Sequence, residues 1–150
     1  MVAVAVAVFA LTRSTSTGEE PQAQSAGTES GAEVTAEQAD ASKSKVCGAF
    51  DLVSNAVQLQ TNVNLGPDPV ALTAVAGNAR LALLGGGLYL EGTIDEATPE
   101  ELAGKVLTFA TTLQDIGMNA LVGVTNQDPV QMGRLNEGDQ IRREIVPLCQ

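Results

Sequence analysis

Residues 98–120, TPEELAGKVLTFATTLQDIGMNA, decide how the rest of the chain is read. Leu102, Val106, Phe109, Leu113, Ile116 and Ala120 recur at steps of 4, 3, 4, 3 and 4. That spacing holds one apolar stripe of a helix against near-parallel neighbours. Thr98 followed three residues later by Glu101 matches a capping box. Pro99 suits the first helical position because it lacks an N–H there, and two acids in the first turn meet the positive end of the helix dipole. The stretch predicts one long helix packed among others.

Three further helices follow by the same reading. One is expected near residues 43–63, with Val46, Phe50, Val53 and Val57 on its seam, before the chain reaches Gly66 and Pro67. A second starts at Asp68-Pro69 and carries Leu72, Ala76, Ala79, Leu83, Gly86 and Leu90 on its stripe. The last starts at Asp128-Pro129 and buries Leu135, Gly138, Ile141 and Ile145, with Pro147 expected to end it near Val146. Asp-Pro-Val occurs at residues 68–70 and again at 128–130, 60 residues apart; the flanking residues share little, which favours convergent capping over duplication. Short links between successive helices force antiparallel neighbours. The expected fold class is therefore all-α, an up-down-up-down four-helix bundle over residues 46–150.

In such a bundle the first and last ends meet, and those ends carry the two cysteines, Cys47 and Cys149. A disulfide is the expectation; it would close a loop of about 100 residues and stabilise the fold by on the order of 4 to 5 kcal/mol in the chain-entropy model. The competing reading is two buried free thiols. A metal pair is disfavoured, because two thiolates without His supply only half of a tetrahedral site.

Ahead of the helices, residues 1–12 are apolar from Val2 to Leu11, and Arg13 is the first charge. Ten helical residues cover about 15 Å, half of a bilayer core, so this reads as part of a transmembrane or signal segment whose remainder would lie upstream, or else as an interfacial piece. Residues 13–45 are rich in Ser, Thr, Gly, Ala and Glu, and from Ser14 to Ser42 they hold six acids and no base. This stretch reads as a disordered acidic linker. A short helix near residues 32–41 is the rival.

Composition removes whole classes of function. The 150 residues contain no His and no Trp, and 18 acids against 8 bases leave a net charge of −10. Without imidazole there is no Ser-His or Cys-His pair, and the acidic field opposes nucleic acid. Ser54 has no base nearby in sequence. Asp95, Glu96, Glu100 and Glu101 lack the alternating oxygen ligands of a calcium loop. No catalytic residue, metal or cofactor is expected. Gly85-Gly86-Gly87, inside the apolar run 81–90, costs about 1 kcal/mol per glycine unless smallness is used. Close helix packing, with Gly104, Gly117 and Gly133 serving similarly, is the first reading. The second is a void for an apolar ligand such as a lipid, formed by Leu83, Leu84, Gly86, Gly87, Leu88 and Tyr89 and facing Phe109 and Met118.

The segments Asn78–Ala82, Ala97–Ala103 and Leu113–Leu121 resemble those of mycobacterial and other actinobacterial Ala-rich exported or single-pass membrane proteins. The resemblance spans about Val46 to Gln150. It implies an N-terminal membrane helix, a low-complexity linker and a two-cysteine helical domain outside the cytoplasm, without an established activity or site residues. The expectation is thus a non-enzymatic helical module of the cell envelope, held at the membrane by its N-terminal segment or secreted after cleavage. It would act through an envelope protein partner or as a structural component, with carriage or sensing of an apolar ligand as the alternative.

Overall fold

The computed structural model describes residues 33–150; the apolar segment 1–12 and most of the acidic stretch lie outside the described residues. Four helices make up the described chain: α1 (Ala36–Asn62), α2 (Pro69–Glu91), α3 (Glu100–Leu121) and α4 (Pro129–Leu148). Among the described residues there is no strand.

The sequence punctuation sets three of the four starts. Asp68 Oδ1 accepts from the Val70 and Ala71 amides, both at 2.9 Å, and Asp128 Oδ1 accepts from those of Val130 and Gln131 at 2.9 and 3.1 Å. Each Asp satisfies amides that have no partner inside the helix. The third is at Thr35, where a capping box forms: the Gln38 amide donates to Thr35 Oγ1, and the Thr35 amide to Gln38 Oε1. Helix α1 therefore begins at Ala36, and the last ten residues of the stretch read as a linker, 36–45, are helical. The Thr-x-x-Gln cap and the burial of Ser42 in the fold account for the difference.

The capping box expected at Thr98 does not form. Pro99 is the N-cap of α3 and no side chain caps it. Thr98 is buried, its hydroxyl lies 2.7 Å from Ser42 Oγ, and it accepts from the Asp95 amide at 3.0 Å. Its oxygen is committed to joining the α2–α3 link to α1. Pro147 also departs from expectation: α4 runs through it to Leu148. One more turn carries the chain to Cys149.

Contacts between the helices fix their directions. Ser42 meets Thr98 and Val53 meets Gly86, so α1 and α2 are antiparallel. Arg80 meets the Ala120 carbonyl while Gly87 meets Ala110, which makes α2 and α3 antiparallel. Lys105 bonds Glu144 and Gln131 bonds the Ile116 carbonyl, so α3 and α4 are antiparallel too. Cys47 and Cys149 are joined by a disulfide with Cα atoms 5.5 Å apart, 102 residues apart in sequence. The core runs through Val46, Phe50, Val53, Leu90, Leu102, Val106, Phe109, Leu113, Ile141 and Ile145. At its centre the Phe50 and Phe109 rings meet edge to face, centroids 5.6 Å apart.

Candidate functional site

Packing joins α1 to α2, α2 to α3 and α3 to α4; α1 and α4 are not a packed pair, although the disulfide ties them at one end. The residue types explain it. Beyond Cys47, the side of α1 that lines the space toward α4 carries Asp51, Ser54, Gln58 and Thr61 beside Val57, and these polar groups lose hydration on burial with little apolar contact to gain. The corresponding positions of α4 include Asp139 and Arg142.

Between these walls lies a cleft of about 870 Å³. Its floor is apolar, with Phe50, Leu83, Phe109, Leu113 and Ile116, and its walls are the polar residues just named. It extends to the end of the bundle opposite the disulfide, where Thr61, Leu72, Val75 and the α3–α4 link at residues 123–126 line it. Leu72 belongs to the core seam of α2 by spacing, yet it is 54% exposed because no helix covers it there.

Two polar features mark the cleft. Ser54 Oγ is buried and has no hydrogen-bond partner. Arg80 lines the cleft half-buried, donates from Nε to the Ala120 carbonyl at 3.2 Å, and among the described residues has no carboxylate partner. The other arginines among the described residues do: Arg134 pairs with Asp115, and Arg142 and Arg143 with Asp139. An arginine left without an acid in a chain of net charge −10 offers its guanidinium to an anion. Asp139, by contrast, is held below the usual carboxylate range, first by its hydrogen bonds from Arg142.

The residues grouped around the glycine triplet do not share one lining. Successive helical residues point about 100° apart, so the three glycines serve three different surroundings. A Cβ on Gly86 would lie 2.7 Å from Val53 Cγ1, and one on Gly87 would lie 2.7 Å from the Ala110 carbonyl oxygen. Gly117 takes Leu84, whose Cγ would be 2.8 Å from a Cβ there. These glycines are filled by neighbours, whereas Gly104 and Gly133 have nothing within 4 Å. Of the residues assigned to the void, Leu83 and Phe109 line the cleft on the other side of α2 and α3. Leu88, Tyr89 and Met118 are exposed on the outside, and Leu84, Gly86 and Gly87 are spent in helix packing.

A four-helix bundle leads one to expect α1 and α4 to pack on each other, and the cleft between them departs from that. The polar side of α1 was its signal. Among the described residues no group of three or more acids or cysteines is placed to hold a metal. No family model, curated protein or solved structure matches the chain.

Proposed function

We propose that the chain is a non-enzymatic, extracytoplasmic helical module of the cell envelope that holds an amphipathic molecule in the cleft between α1 and α4. The cleft of about 870 Å³ carries this reading; its size falls in the range of small-molecule sites, and it joins an apolar floor to one arginine without an acid. The ligand class that fits is a single acyl chain with an anionic head. The chain would lie along the α3 floor from Phe109 to Ala120, about 17 Å of helix, with its head at Arg80.

Two observations support the placement outside the cytoplasm. A disulfide persists in an oxidising compartment, and the apolar residues 2–11 with the acidic stretch behind them suit a membrane or export segment and a tether. The non-enzymatic reading is supported by the absence of His from the sequence and by Ser54, whose hydroxyl has no base.

Isothermal titration with myristate tests the reading. One equivalent is expected to bind; Arg80→Gln should weaken binding about tenfold or more, the scale of one charged hydrogen bond, and Ala76→Trp, which fills the cleft wall, should abolish it. Native mass spectrometry of protein from its own host should show the same stoichiometry. No bound lipid and no myristate binding would refute it.

A further inference from the structure

Helix α2 carries two seams, and the core uses one. Leu72, Ala76, Ala79, Leu83, Gly86 and Leu90 face the bundle. Shifted by two residues, Val70, Ala74, Gly77, Leu81, Leu84 and Leu88 repeat the same steps of 4, 3, 4, 3 and 4. Two residues turn a helix by about 200°, so this second stripe points away from the core. Val70 is 78% exposed, Leu81 71% and Leu88 62%, while Leu84 is half-buried against Gly117 of α3 at the edge of the stripe. Between Val70 and Tyr89 the only charged side chain is Arg80, which turns toward Ala120. Beside the stripe on α3, Leu107 and Met118 are also exposed.

We infer that this face is covered by a second copy of the chain, with the two α2 helices antiparallel about a two-fold axis near residue 79. The order of residue sizes along the stripe picks out the occupant. In that arrangement Val70 meets the other copy's Leu88 and Gly77 meets its Leu81, while Ala74 lies opposite Leu84, whose tip is already seated on Gly117 of its own α3. Every layer sets a larger side chain against a smaller one, which is how facing positions interdigitate without voids. A parallel pair would instead stack leucine on leucine at one end and leave glycine against glycine in the middle. The space is open for it, since nothing lies within 4 Å of a Cβ placed on Gly77.

The area suffices. From Val70 to Leu88 the stripe is about 27 Å long, and with α3 about 9 Å away the apolar face is roughly 18 Å wide, so two copies bury on the order of 1,000 Å², where specific interfaces begin. A bilayer fits the same surface poorly. Interfacial helices draw on Lys and Arg to meet anionic headgroups; here the net charge is −10, and Lys45, Lys105, Arg134, Arg142 and Arg143 are already paired with acids. Lipid tails also make no use of an ordered alternation of large and small residues.

Sedimentation of the full chain in detergent-free buffer, with and without Leu81→Glu, gives the first test. A dimer is expected whose dissociation constant rises roughly a hundredfold or more when a carboxylate is forced into the seam; Leu81 is solvent-exposed, so circular dichroism should be unchanged. Orientation is read from a mixture of Val70→Cys and Leu88→Cys chains under mild oxidation. The mixed pair should cross-link, because those positions face one another. Each variant alone should not, because its two cysteines lie about 27 Å apart along the axis, far beyond disulfide reach. A monomer at all concentrations, a dimer indifferent to Leu81→Glu, cross-linking of either variant alone, or monomeric uptake onto phosphatidylglycerol vesicles through α2 would each overturn the inference.

Discussion

The two ends of the bundle are built differently. At the tied end Val46, Leu90, Val106 and Ile145 are fully enclosed, Cys47 and Cys149 are joined, and Ser42, Asp95 and Thr98 form a polar knot across the α2–α3 link. At the other end Leu59, Leu65, Leu72, Leu121 and Val130 are all exposed. The seams of α2 and α3 run the full length of their helices, so residue type on those two does not explain the contrast. What differs is whether a fourth wall is present: α1 turns polar toward α4 after Cys47, and the bundle opens from there. Stability is concentrated at one end, and room for a ligand at the other.

Breaking the tie should have the largest effect. Cys47→Ser with Cys149→Ser removes a cross-link spanning 102 residues, and a loss of about 3 to 5 kcal/mol in urea unfolding is expected. A loss below about 1 kcal/mol would mean that the two ends differ less than their packing suggests. Next come matched truncations on one helix. Leu90→Ala deletes a side chain with no solvent exposure and should cost about 3 to 4 kcal/mol. Leu72→Ala, on the same seam five turns earlier, should cost under about 1 kcal/mol because water already reaches it. Equal losses would show that the cleft closes in solution.

Much of this was legible in the sequence, and the failures have physical causes. The alternating steps of four and three residues mark α1, α2 and α3, and the Asp-Pro start followed by apolar steps of three and four marks α4, because an apolar stripe at helical spacing gains from burial. Asp68 and Asp128 cap as read, since a short acid beside free amides has little else to do. Thr98 misled because its hydroxyl had a better partner 56 residues away, in Ser42, and a local motif carries no information about distant competitors. The start of α1 was visible in Thr35 and Gln38 but was outweighed by the polar composition around them. The residues grouped around the glycine triplet separate for a further reason. Three glycines adjacent in sequence form one feature on paper, whereas a helix sends them in three directions.

That last point makes a pair of glycine predictions of opposite sign. Gly87→Ala places a Cβ against the Ala110 carbonyl, which is backbone and cannot yield; a loss of about 1 to 3 kcal/mol is expected from overpacking. Gly104→Ala enters open space on α3 and should stabilise by about 0.5 to 1 kcal/mol through helix propensity alone. Thermal unfolding of the two variants reads the sign directly. Two losses of similar size would remove the distinction between a glycine used for contact and one that is merely tolerated.

The smallest effect is the dependence on acid, which falls on Asp95 and Glu144 and, in the cleft wall, on Asp139. The Ser42 hydroxyl donates to Asp95 Oδ1 at 2.6 Å and holds that carboxyl below its ordinary value of 3.8, with partial burial opposing and Lys45 and the Ala97 amide adding to the lowering. Glu144 is lowered from 4.5 first by its hydrogen bond from Lys105 and then by Gln140. A carboxylate whose folded value is depressed contributes stability that is fully present above its unfolded value and is lost as pH falls through the folded one. Stability should therefore be flat above about pH 5 as far as these groups are concerned, and decline below about pH 4. In Ser42→Ala, carbon-detected titration should show Asp95 moving up toward 3.8 while Glu144 stays where it is. If Asp95 titrates unchanged, the hydroxyl is not what fastens the α2–α3 link to α1, and the firmness of that end must rest on the disulfide and the enclosed side chains alone.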